Sequence, residues 1–290
     1  MIRKKASKKA ALLMYPLLIG LFLAICTYSF VKYIENPQLD QEYIGDYQLN
    51  LLKSSYDSEK ILFYVDQSAK FSADQSLYEL GNLGGGNDCG TYDGISLWGK
   101  NCFPKFNNNY INRFKINLEE FLDFYSEDTI PHDNYEYVID ASHIRGIALK
   151  PLRIDIKSNK GTKIGEYSIK PSFSIDTGID IINIFNELEF NVIDSEISGR
   201  ESIVKKVSLC IDEGENNLWS CVTEAKKHFE EKNPGYLVEY KAIGDEIYQF
   251  SIATGSKVMA YDSNDKQIKS RNLVIIFAID FSGEENQVLE

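Results

Sequence analysis

The side chains best suited to chemistry in this chain are its five cysteines, its three histidines and a few acidic turns. Four cysteines fall into two sequence-local pairs, Cys89 with Cys102 and Cys210 with Cys221, while Cys26 sits in an apolar stretch. An even count outside that stretch suits disulfides formed in an oxidising compartment. Four cysteines allow three connectivities. The local one closes two short loops, each expected to contribute roughly 3 kcal/mol through chain entropy. A four-cysteine zinc site is the alternative, but the tight C-x₂₋₄-C spacing that brings two thiolates to one ion is missing.

Any metal or triad chemistry must use His132, His143 or His228. The run His143-Ile144-Arg145-Gly146-Ile147-Ala148 resembles part of the S-x-H-x-x-G-x-A-x-D pattern of zinc carboxypeptidases that trim D-Ala-D-Ala cell-wall peptides. That resemblance implies zinc at His143 and an acidic ligand two places after Ala148. Lys150 stands there instead, and Ser142 is one place out of register. A catalytic zinc normally takes three protein ligands, so His143 reads as a surface histidine beside a strand. Asp212-Glu213-Gly214-Glu215 and Asp262-Ser263-Asn264-Asp265 read as solvated turns, since neither has calcium-loop spacing and Leu273 takes the twelfth place of the second. Gly84-Gly85-Gly86 is followed by no G-K-[ST]. The expectation is therefore no catalytic residue, no cofactor and no metal, and the enzyme reading is the minor one.

The element that must position all of this is Ala10 to Val31, 22 residues without a charge. At about 1.5 Å per residue it reaches about 33 Å, enough for a hydrocarbon layer of roughly 30 Å. Arg3, Lys4, Lys5, Lys8 and Lys9 precede it, whereas Lys32 is followed by Glu35, Asp40 and Glu42. Basic flanks stay cytoplasmic, so the expected topology is a single pass with the N-terminus inside and the C-terminal domain outside. Tyr28, Phe30, Val31, Tyr33 and Ile34 are too bulky for a signal-peptide cleavage site, so the segment reads as a retained anchor.

Everything acidic lies beyond that segment. The first 32 residues hold six basic side chains and no acidic one, leaving 43 acidic against 25 basic in the remaining 258, about −18. Such a surface repels phosphate backbones, which excludes nucleic acid as an expected partner. The expected partners are the membrane, through one span, and an envelope protein.

The chain divides on this basis into a cytoplasmic basic head (1–9), a transmembrane helix (10–32), a long amphipathic helix (33–83) and a disulfide-stapled extracytoplasmic α+β domain (84–290). Asn36-Pro37 should break the first helix from the second. The second carries Ile44, Tyr47, Leu51, Ser55, Ser58, Leu62, Val65, Ala69, Ala73, Leu77 and Leu80 at an average step of 3.6, with Gly81 placed as a cap. A short helix is expected from Asn117, whose Glu120 completes a capping box, and Pro131 should close it. Strands are expected at Tyr135 to Ile139, Ile144 to Leu149 and Leu152 to Ile156, then a hairpin turn at Ser158-Asn159-Lys160-Gly161. The returning strand should hold Tyr167, Ile169, Phe173 and Ile175 on one face, with Pro171 marking a sheet edge. Thr177 should cap a helix reaching Leu188. A strand is expected near Ile203 to Ile211, then a helix through Leu218, Cys221, Val222, Ala225 and Phe229. Leu237 to Ala242, Ile247 to Ala253, Val258 to Tyr261 and Leu273 to Phe281 complete a mainly antiparallel sheet, the last as its central strand.

Two wider resemblances carry expectations of their own. The basic head, apolar helix, amphipathic helix and disulfide-bearing β-rich end are together similar to type IV pilins and pseudopilins, which implies a filament or assembly subunit. No Glu or Asp precedes Glu35 where that family has its glutamate, and Pro37 separates the two helical stretches. Glu59-Lys60-Ile61-Leu62-Phe63-Tyr64-Val65-Asp66-Gln67-Ser68-Ala69-Lys70, the Cys89 loop and the final strand resemble an uncharacterised group of single-pass envelope proteins from uncultured archaea. That resemblance implies an anchored envelope protein and carries no activity.

Overall fold

The computed structural model describes residues 8–35, 41–99, 102–125, 130, 133–140, 142–157, 161–193, 202–213, 217–262 and 265–282. Arg3, Lys4, Lys5, Asn36-Pro37, Pro131, His132, Ser158 to Lys160, Gly214-Glu215 and Ser263-Asn264 lie outside the described residues.

The fold is α+β, with six α-helices among the described residues and mainly antiparallel sheets. The chain forms two compact units, one from Met1–Ser58 with Arg153–Ser168, the other from Glu59–Leu152 with Ile169–Glu290.

In the first unit, α1 (Lys8–Glu35) contains the uncharged stretch, with Pro16 inside it. The large side chains described on it, from Leu18 to Val31, are exposed. The structure does not establish the transmembrane helix expected at 10–32: among the described residues no helix is long and apolar enough to cross a membrane. Helix α2 (Gln41–Asn82) begins in this unit. Strands β5 (Leu152–Lys157) and β6 (Lys163–Ile169) form a two-stranded sheet, laced on its surface by Lys163 with Asp155 and Glu166 and by Arg153 with Glu166.

The second unit holds the core. Its five-stranded sheet has the order β1 (Thr91–Tyr92), β2 (Ile95–Trp98), β10 (Gln267–Asp280), β9 (Ile247–Asp262), β8 (Leu237–Ala242). Only β2 and β10 pair in parallel. The unbroken apolar run beginning at Leu273 is the central strand β10, with Leu273, Ile275, Phe277, Ala278 and Ile279 buried, as such runs should be. Ile247 to Ala253 and Val258 to Tyr261 prove to be one strand, β9; Gly255, at φ +76°, joins them within it.

The later part of α2 packs on this sheet. Val65, Ala69, Ala73, Leu77 and Leu80 of the expected stripe are buried, while Tyr47 and Leu51 of its first third are exposed. Small residues permit close approach: a Cβ on Gly81 would stand 2.6 Å from the Val274 carbonyl oxygen. Ser72 and Ser76 hydroxyls donate to the carbonyls four residues back, which satisfies them inside the core.

Helix α3 (Phe106–Tyr125) starts eleven residues before the expected capping box. Phe106, Tyr110, Phe114, Leu118 and Leu122 recur every four residues on its buried side. Asn117 is an interior residue whose amide donates to the Ser76 hydroxyl and to Glu79. Phe114 meets Tyr137 and Phe173 of a three-stranded antiparallel sheet, β3 (Tyr135–Asp140), β4 (His143–Ala148) and β7 (Phe173–Asp176). The single strand expected through Pro171 is thus two, β6 and β7, in different sheets. Asp180, not Thr177, caps α4 (Ile181–Leu188), which runs into a π-turn at Glu189–Ile193.

The strand expected near Ile203 is a helix, α5 (Ile203–Asp212). Its β-branched residues suggest a strand, but Ser202 caps the backbone N–H of Lys205, and Ile203, Val204 and Val207 share the buried side. Packing overrides a weak propensity here. Cys210–Cys221 therefore joins two helices, α5 and α6 (Leu218–Lys232).

Candidate functional site

The local cysteine pairing is present at both places, Cys89–Cys102 and Cys210–Cys221, each with sulfurs at bonding distance. Around the first, the chain turns through Gly84, Gly85 and Gly86, all at positive φ. Trp98 donates its indole N–H to the Gly84 carbonyl at 2.9 Å, and the Asn109 amide donates to Gly85 O and to Asp88. The glycine run is thus a pinned junction, not a phosphate loop. Beside it, Phe106 stacks on Phe185 with centroids 4.1 Å apart.

An open cleft of about 400 Å³ lies over these rings, between the start of α3 and the α4 to π-turn segment. Lys105, Asn107, Asn108, Asn186 and Glu189 surround its mouth. Its lining contains no thiol, hydroxyl or imidazole; its polar groups are amides, the Lys105 amine and the Glu189 carboxylate.

The structure does bring one serine, histidine and aspartate together. Ser142 Oγ lies 3.3 Å from His143 Nδ1, and His143 Nε2 lies 3.7 Å from Asp176 Oδ2. The nitrogens are used in the reverse sense to a hydrolase triad, in which the serine faces Nε2. His143 and Asp176 are both more than half exposed, at opposite positions of the β4–β7 ladder. The backbone N–H of Gly178, then Ser142, then His143 hold the Asp176 carboxyl below its ordinary value. The trio fixes a hairpin end: Thr177 donates from its backbone and its hydroxyl to Ser142 O.

No protein-family model, curated protein or solved structure matches this chain. Site assignment therefore rests on geometry alone.

Among the described residues no three His, Cys, Asp or Glu side chains converge as metal ligands. Gly146, the glycine of the peptidase-like run, has a packing role: a Cβ there would fall 2.2 Å from the Phe173 ring. Lys150 exchanges two backbone hydrogen bonds with the Asn134 side chain. At the second acidic turn Asp262 pairs with Arg271 and Asp265 with Lys269. The sequence reading missed the Asp176 relationship because Asp176 is 33 residues from His143. It missed the cleft because α3 was begun too late.

Proposed function

We infer that the chain is anchored to one membrane through α1 and that its α+β body works outside the cytoplasm by protein contacts. The observation that carries this reading is α1 itself, which leaves Leu18, Ile19, Leu21, Phe22, Leu23, Ile25, Tyr28, Phe30 and Val31 exposed. These side chains surround the helix axis, and an all-round apolar helix needs an apolar medium. The basic head sets the orientation, and the two disulfides fit an oxidising compartment. The cleft's amide-rich mouth, with Asn107, Asn108 and Asn186, suits recognition and supports contacts as the mode of action.

The test is extraction of membranes at alkaline pH together with protease added from outside. The chain should stay with the bilayer and lose its C-terminal body to the protease. Release into the supernatant, or a protected C-terminal body, overturns the reading.

A further inference from the structure

Three asparagines at the cleft keep their side chains free of the protein. Asn107 and Asn108 on α3 and Asn186 on α4 line its mouth, are exposed, and make no side-chain hydrogen bond among the described residues. Neighbouring asparagines differ. The Asn109 amide is spent on Gly85 and Asp88, that of Asn117 on Ser76 and Glu79, and that of Asn183 on Glu187. The frame behind the free amides is fixed, since the Asp88 carboxylate accepts the Lys105 backbone N–H at 3.1 Å and Cys102 is bonded to Cys89. On the opposite wall the helix widens into the π-turn that begins at Glu189, a geometry frequent at functional sites.

We propose that this cleft binds a short neutral carbohydrate, an inference that rests on the cleft as a recognition site and gives its partner's chemistry. A carboxamide offers an acceptor oxygen and two N–H donors, which matches a sugar hydroxyl that both donates and accepts. Three such groups at one mouth can meet hydroxyls on adjacent carbons. Phe103 and Ile182, both half-buried, leave apolar surface in the lining for the C–H side of a pyranose ring.

Other ligand classes fit this lining less well. Lys105 and Glu189 supply one charge of each sign, and the acidic excess of the chain disfavours phosphate or carboxylate ligands. An extended peptide takes a free strand edge with pockets for alternate side chains, whereas no strand contributes to this lining. At about 400 Å³ the cleft is at the small end of the roughly 300–1,000 Å³ typical of ligand sites, so the bound portion is short. Being open, it also admits the end of a longer glycan.

The experiment is saturation-transfer NMR on the full chain in a zwitterionic detergent that carries no sugar. Cellobiose, lactose and N,N′-diacetylchitobiose are the probes, with triglycine and glucose 6-phosphate as counter-probes. At least one disaccharide should give a saturable response and the counter-probes none. Asn107→Ala with Asn186→Ala, exposed positions on opposite walls, should weaken that binding about ten-fold or more with thermal unfolding unchanged. Asn183→Ala, whose amide is already spent on Glu187, should leave binding as it was. Methyl β-glucoside binding as tightly as the disaccharides marks a free monosaccharide as the source, and weaker binding marks a glycan end. Silence from all three disaccharides, full binding by the double variant, or an equal response to either counter-probe overturns the assignment. Membrane extraction with added protease reads the anchored, outward placement separately, so a chain that passes that test and ignores the sugars sinks the carbohydrate assignment alone.

Discussion

The indole of Trp98 lies flat on the ring of Phe277, with centroids 3.7 Å apart and planes 4° from parallel. The contact joins β2 to the central strand, and the same indole donates its N–H to the Gly84 carbonyl. Trp98→Ala should lower stability by about 3 to 5 kcal/mol, as large core truncations do. Trp98→Phe keeps a ring on Phe277 but removes the donor, for an expected loss of about 1 to 3 kcal/mol. Urea unfolding with the disulfides intact measures both; no loss in Trp98→Phe would show that the hydrogen bond contributes nothing, and equal losses that the ring contact does not.

Gly84 and Gly94 both have positive φ, at +61° and +78°, but only one is crowded. A Cβ on Gly84 would stand 2.6 Å from the Ile276 carbonyl oxygen, whereas one on Gly94 meets nothing within 4 Å. Gly94→Ala should therefore cost only the left-handed backbone, about 1 kcal/mol. Gly84→Ala adds a backbone clash and should cost about 3 kcal/mol or more. Thermal unfolding of the pair separates conformational strain from crowding.

The contrast between those glycines shows what sequence patterning carries. The cap expected at Gly81 is displaced, since Gly81 lies inside α2 and positive φ starts at Gly84; the disulfide pairs and the central strand are legible in spacing and in an apolar run. Long-range packing is not. Asn117 looks like a helix start because of Glu120, yet it is an interior residue turned toward Ser76, 41 positions away. Ile203 to Ile211 looks like a strand because β-branched residues favour one, and tertiary burial of Val204 and Val207 makes it a helix. Ser142 and His143 are adjacent in any reading, but Asp176 joins them only once β4 and β7 pair.

Asp74 accepts a hydrogen bond from the Met259 backbone N–H, and Gln75 accepts one from Tyr261. These are strand N–H groups that the ladder to β10 leaves over, so α2 covers what would otherwise be an open edge. Burial raises the Asp74 carboxyl above its ordinary value, against the Met259 hydrogen bond and Lys70, which lower it. Between 3.8 and that raised value the folded state binds more protons than the unfolded one, so stability falls as pH rises through the window. Asp74→Asn keeps an acceptor without the charge and should flatten this slope while holding or raising stability at pH 7. Asp74→Leu orphans the Met259 N–H and should cost about 1 to 3 kcal/mol. Chemical denaturation from pH 4 to 8 checks all three.

Cys210–Cys221 spans 11 residues and links α5 to α6 with Cys221 fully buried. Replacing both by alanine should cost roughly 3 kcal/mol. Digestion without reduction should yield the 210–221 and 89–102 peptides as linked pairs. Free thiols at all four positions would remove the oxidising-compartment argument along with the stabilisation.

The exposed trio at the β4–β7 edge makes the last prediction, because its causes are ranked. Asp176 is held low first by the Gly178 backbone N–H, then by Ser142, and only then by the charge of His143. A depressed carboxyl adds stability that is present above 3.8 and lost as pH falls through its folded value. Ser142→Ala should therefore raise the Asp176 pKa more than His143→Ala does, and neither should bring it fully to 3.8 while the Gly178 N–H remains. Carboxyl carbon NMR titration reads each variant directly. If His143→Ala produced the larger shift, the imidazolium would be the leading partner, and the trio would act as an ion pair switched off as histidine deprotonates, not as a fixed turn clasp.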